Sequence, residues 1–304
     1  MSEHQSNLNE IQLQHGPLRL SVCPALGGAI TRLSVDGVDL LRPWDGSDSV
    51  RRTGCFVLAP FSNRIDDAFE HDGQRYPLNR LSPDHPLPIH GLAWKRLWEV
   101  AEQDSSSLVL NISHRPEGAA ALDWPFAFEL EHRLRLGEEG VSLVLKLRNI
   151  DTRSMPAGLG WHPYFLRHEA CQLRFAAQAV WQNDTRNLPS RLLPIPEKWD
   201  FSTTRSLQEP GLDHCFVGLT APVLIRWPRQ GIELSMNASE ALAHLVVFTP
   251  PADMGFFAVE PVSHANNALG MDDPVANGMR ELLPGETMQV SCQMQIQRTA
   301  RSDS

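Results

Sequence analysis

The sequence predicts an all-β chain folded as one large antiparallel β-sandwich. Three observations carry that prediction: several segments alternate apolar and polar residues with period two, helical periodicity is scarce, and 23 prolines and 20 glycines cut the chain into short runs. A strand sends successive side chains to opposite faces, so alternation gathers the apolar ones on one side. Many short strands bounded by turn residues point to a sandwich or barrel and away from a βαβ fold.

In chain order, Leu18, Leu20 and Val22 open the pattern, and Gly27-Gly28 and Asp36-Gly37 supply turns. Phe126, Phe128, Leu130, His132, Leu134 and Leu136 alternate with polar or small residues, Gly137-Glu138-Glu139-Gly140 reverses the chain, and Val141, Leu143, Leu145 and Leu147 resume on one parity. This is a long antiparallel hairpin with one wet face. Val223, Ile225 and Trp227 form a strand paired with Ile232, Leu234 and Met236, and Met288, Val290, Cys292, Met294 and Ile296 form the last one. Ser239 to Leu245 is expected to make a helical turn or two. No repeat, low-complexity tract or composition break marks a linker, so residues 1–304 are read as a single domain, frayed at 1–10 and 298–304.

Composition narrows the function. With 27 Lys and Arg against 36 Asp and Glu the formal charge is -9, and no basic run stands out, which argues against nucleic acid and anionic membrane surfaces. The polar N-terminal segment has no apolar leader, and no stretch reaches the length of a membrane span, so a soluble cytoplasmic protein is expected. The five cysteines are scattered, with no Cys-x-x-Cys pair, and fit buried reduced thiols. Cys215 lacks a histidine partner fixed by the sequence and is set aside as a nucleophile.

Polar residues stranded in apolar or glycine- and proline-rich surroundings are the informative ones. His162 sits in Gly158-Leu159-Gly160-Trp161-His162-Pro163-Tyr164-Phe165, and His90 in Pro88-Ile89-His90-Gly91-Leu92-Ala93-Trp94. Asn63 and Arg64 end the apolar run from Phe56, Asp213 lies in Leu212-Asp213-His214-Cys215-Phe216, and Glu260 in Phe256-Phe257-Ala258-Val259-Glu260-Pro261. A carboxylate after such a run is costly to bury, and desolvation should raise its pKa toward that of a general base at neutral pH. Three chemistries suit this set: acid–base work on a polyhydroxyl ligand, a metal centre, or glycoside cleavage by two carboxylates. Spacing separates them only weakly, although a metal is disfavoured by the lack of a His-x-His or His-Glu-x-x-His pattern and by the prolines that stiffen the chain between His85 and His90. Eight tryptophans against two tyrosines suit sugar faces as well as a core.

Taken in order, Asn63-Arg64-Ile65 with Asp72-Gly73-Gln74-Arg75-Tyr76-Pro77-Leu78, His90-Gly91 with Trp98-Glu99-Val100, His162-Pro163-Tyr164-Phe165, Leu212-Asp213-His214, Glu260-Pro261 with Asn267-Ala268, and Leu283-Pro284-Gly285-Glu286 resemble the blocks of the aldose 1-epimerases, or galactose mutarotases. The likeness runs from about residue 15 to 297. It implies a galactose mutarotase-like supersandwich with a sugar cleft across one sheet, working on a small sugar without cofactor or metal, as a monomer or homodimer. By the same resemblance Glu260 is the general base, His162 the general acid, and His90, Asp213, Arg64 and Asn63 hold the sugar; a nearby Glu260 carboxylate would favour a charged His162. Leu92 replaces the second glycine of the family's His-Gly-Gly, and Leu166-Arg167 replaces its Asn-Leu, which leaves the sugar open. Arg64, Lys95, Arg96 and Arg167 are candidate contacts to a sugar phosphate. A non-catalytic sugar-binding protein and a lyase or hydrolase of a larger saccharide are the alternatives on the same scaffold.

Overall fold

The structure, a computed structural model, describes residues 8–207 and 211–301. Among them two antiparallel sheets account for most of the chain. The nine-stranded sheet runs Arg205–Ser206, Gln172–Arg174, Val223–Trp227, Ile232–Ala238, Thr287–Arg298, Gly140–Asn149, Phe128–Gly137, Ser107–His114 and Glu99–Gln103. It contains the hairpins read from the sequence: Leu134 faces Leu143, and Ile225 faces Leu234. Its apolar parity, Leu130, Leu134, Leu136, Leu143, Leu145 and Leu147, is buried to within 1 %. The intervening Glu131, Arg133, Lys146 and Arg148 remain half-buried or exposed.

The 11-stranded sheet has a different character. At its centre Cys55–Leu58, Gly160–Leu166, Phe256–Val262, His244–Phe248 and Asp213–Val217 lie side by side. Alternate residues of these strands, among them Val57, Trp161, Phe165, Val247 and Val259, enter the core shared with the nine-stranded sheet. The other parity, including Phe56, Tyr164, Val246 and Ala258, builds a second apolar cluster on the far face. Both faces are therefore dry, and the sequence runs without alternation there. His162 and Glu260 fall on the far-face parity, so the sheet presents them beside Phe56 and Tyr164 on the side away from the central core.

Two expectations need correction. Ser239 to Leu245 makes no helix: the chain reverses after Ala238 and enters strand His244–Phe248, where Leu245 pairs with both Phe216 and Pro261. Helix-compatible residues yield here to ladder hydrogen bonds on both sides of a central strand. Arg298 is not loose, because it still pairs with Ile232. No helix among the described residues is long and apolar enough to cross a membrane.

Candidate active site

The far face of the 11-stranded sheet holds a cavity of about 140 Å³, into which all six sequence-selected residues project: Asn63, Arg64, His90, His162, Asp213 and Glu260. Glu260 and His162 come from adjacent strands, paired through Tyr164 and Ala258. Their side chains meet, with Glu260 Oε1 3.2 Å from His162 Nε2. Glu260 Oε2 and His162 Nδ1 are buried without a hydrogen-bond partner. His162 is held flat by stacking on Phe56, ring centroids 4.7 Å apart, and by Tyr164 at 4.5 Å.

Burial drives both groups toward their uncharged forms. It pushes the Glu260 carboxyl well above the ordinary carboxylate range, a shift that the Asp213 charge increases and Arg64 opposes. It pushes His162 down to about 3, with the Arg51 charge acting in the same direction. Burial therefore works against the charged imidazolium that a neighbouring carboxylate was expected to favour.

His90 arrives from a loop. Its ring stands 5.1 Å from that of His162, nearly perpendicular, and its Nδ1 accepts a hydrogen bond of 3.2 Å from the Asn63 backbone N–H. An accepting Nδ1 fixes the tautomer with the proton on Nε2. Burial holds His90 well below its ordinary pKa, so it is a neutral donor. Both partners in this contact have left-handed backbones, φ +55° at Asn63 and +64° at His90. Gly91 continues the turn at φ +66°, where a Cβ would stand 2.1 Å from the Ala59 carbonyl oxygen, so only glycine fits. The 59–64 segment is braced by His264, whose Nε2 accepts from the Ser62 N–H at 2.9 Å and whose ring leaves no room for a side chain on Gly158.

Arg64 is clamped rather than solvated. Its guanidinium reaches Asp213 at 3.1 Å, the Asn63 side-chain oxygen at 3.1 Å and His85 Nε2 at 3.3 Å. Asp213 opens its strand and is 29 % exposed, so one carboxylate edge stays available to a ligand.

Arg51, His85, Ile89, Tyr164 and Phe248 also line the cavity; none is selected from the sequence as a site residue, and His85 is weighed there only as a poor chelating partner of His90. Tyr164 shares the parity of His162, a signal that was present. Arg51 sits in a polar stretch of the sequence and carries none, whereas His85 lies in the proline-rich run before His90, a setting that does mark it. Of the four candidate phosphate contacts only Arg64 lines the cavity: Arg96 is ion-paired with Asp123 at 2.5 Å, Arg167 donates to the Pro250 carbonyl, and Lys95 lies over the Trp94 ring. Cys215 is fully buried and its thiol is pushed up to about 12, which removes it as a nucleophile. All five cysteines are free and buried.

The profile of the aldose 1-epimerase family matches residues 9–295. Over 286 residues the chain is 27 % identical to the uncharacterised protein YphB of Escherichia coli K12, covering 90 % of this chain and 94 % of that one. Among solved structures it is similar to a galactose mutarotase-like protein from Clostridium acetobutylicum, with TM-score 0.84, 19 % identity and 98 % of each chain covered. It is also similar to galactose 1-epimerase from Lactobacillus acidophilus, with TM-score 0.75, 18 % identity and 98 % of this chain and 97 % of that one covered. Fold, ordered motifs and family profile agree, and the chain belongs to the aldose 1-epimerase family.

Proposed function

We propose that this protein is a mutarotase, interconverting the α and β anomers of a free aldose by acid–base ring opening. The observation that carries the reading is the 3.2 Å contact between Glu260 and His162 on the cavity floor. The two oxygens that exchange protons in ring opening, the anomeric hydroxyl and the ring oxygen, are bonded to one carbon, so acid and base have to be neighbours. Glu260 takes the proton from the anomeric hydroxyl while His162 gives one to the ring oxygen. The C1–O5 bond breaks, C1 becomes an aldehyde, and rotation followed by reclosure yields the other anomer.

In the empty site burial favours the proton on Glu260. Its transfer to His162 across their contact sets the pair for opening, and reclosure returns both protons without help from solvent. His90 donates from Nε2, while Arg64 and Asp213 hold the sugar hydroxyls, with Asn63 orienting both Arg64 and His90. No electrons move, so the reaction calls for no cofactor. We place the enzyme in the cytoplasm, as a monomer or homodimer.

Saturation-transfer NMR on glucose, galactose, arabinose and fucose tests the reading. Wild type should accelerate anomer exchange, and Glu260→Gln and His162→Asn should each lose about 10²–10⁴-fold while keeping the wild-type circular dichroism. Sugar binding without acceleration would make the protein a carbohydrate-binding module, and shortened oligosaccharides would make it a lyase or hydrolase.

A further inference from the structure

One cation lining the cavity is left without an ionic partner among the described residues. Arg64 is paired with Asp213 at 3.1 Å. The Glu260 carboxyl is engaged by the His162 imidazole at 3.2 Å. Arg51 also lines the cavity, and among the described residues no carboxylate forms an ion pair with its guanidinium; the neighbouring Arg52 takes Asp45 instead, at 3.7 Å.

The position of Arg51 is built. It lies in the one-turn helix Val50–Arg52, anchored by buried Val50. Its backbone carbonyl accepts from Arg42 Nη2, and Arg42 also reaches the Thr53 carbonyl while lying 4.2 Å from the Tyr164 ring centre and 4.4 Å from that of Phe256. The Arg51 guanidinium stands 5.5 Å from the Trp94 ring centre, and Lys95 Nζ stands 4.4 Å from the same ring centre. The Arg51 charge is felt at the reacting groups, where it lowers the pKa of both His162 and His90.

A neutral sugar offers this guanidinium hydroxyl contacts that water supplies equally well. A carboxylate or phosphate offers charge-assisted, two-pronged hydrogen bonds. We infer that the cavity takes an aldose bearing an anionic substituent, a carboxylate or a phosphate ester, and that Arg51 is the residue that pairs with it. This substrate class presupposes the ring-opening activity proposed above.

The test compares kcat/KM for anomer exchange on glucose, glucuronate and glucose 6-phosphate. At least one charged sugar should exceed glucose by about tenfold or more at low ionic strength, with the advantage shrinking as salt is added. The better of the two identifies the substituent. In Arg51→Gln that advantage should fall about tenfold, mainly through KM, and Arg51→Lys should restore part of it. If Arg51→Gln does not fold, the salt dependence of wild type and the Arg51→Lys preference decide instead. Equal efficiencies on all three sugars, or a loss in Arg51→Gln that is the same for charged and neutral sugars, would overturn the assignment and leave ring opening intact. No acceleration of any sugar, these or the four neutral ones, would overturn both.

Discussion

Glu260 and His162 touch across two adjacent strands, 3.2 Å apart, and each keeps one polar atom buried and unpaired. Such a pair is expensive in an apolar sheet and is retained at a cost in stability.

That cost is readable as pH dependence. Glu260 has a folded pKa raised above its unfolded value of about 4.3, so its contribution to stability is present below that value and lost as pH rises through the folded pKa. His162 is depressed to about 3 against about 6.5 unfolded, so its contribution is present above pH 6.5 and lost as pH falls toward 3. Urea unfolding from pH 4.5 to 8 should show Glu260→Gln gaining on wild type toward the alkaline end. The acid slope should be shallower in His162→Asn, each change approaching at most about 1.4 kcal/mol per pH unit. Curves parallel to wild type would mean that neither group is shifted.

Asp213→Asn removes the charged partner of Arg64 but keeps its shape. The guanidinium loses a charge-assisted bond worth about 1.5–3 kcal/mol, and the sugar loses a charged acceptor. In steady-state anomer exchange KM should rise about tenfold or more, with kcat changing less. A fall in kcat at constant KM would instead put Asp213 in the proton transfer.

Behind the site, Trp161 donates from its indole N–H to His132 Nε2 at 3.1 Å, inside the core between the sheets. The other ring nitrogen of His132 is buried without a partner, and the ring is pushed down to about 3. Trp161→Phe should therefore cost about 1–3 kcal/mol beyond lost packing, by stranding a second nitrogen. Adding His132→Phe should recover part of that loss. A double-mutant cycle in urea with no coupling would refute the pairing.

The sequence was legible where one face of a sheet is wet. In the hairpin of Phe128–Gly137 with Gly140–Asn149, Arg133 and Lys146 break up the leucines, and the alternation reveals strand, parity and partner together. The 11-stranded sheet is dry on both sides, so Phe256–Val262 reads as a bare apolar run. Glu260 stands out there as misplaced, but nothing in the run says which face it takes. The residues that meet in the cavity were marked by their surroundings; their contacts, such as that between the Asn63 N–H and His90, depend on long-range register that one sequence does not display. Arg51 was invisible for the opposite reason, since an arginine next to another arginine in a polar stretch looks like any surface charge.

The strand Thr287–Arg298 lies between Gly140–Asn149 and Ile232–Ala238, holding together two halves of the nine-stranded sheet made much earlier in the chain. During synthesis both halves leave the ribosome with an open edge facing a gap. Until the late strand arrives those edges are unpaired, the condition in which a sheet edge recruits stray β-strands.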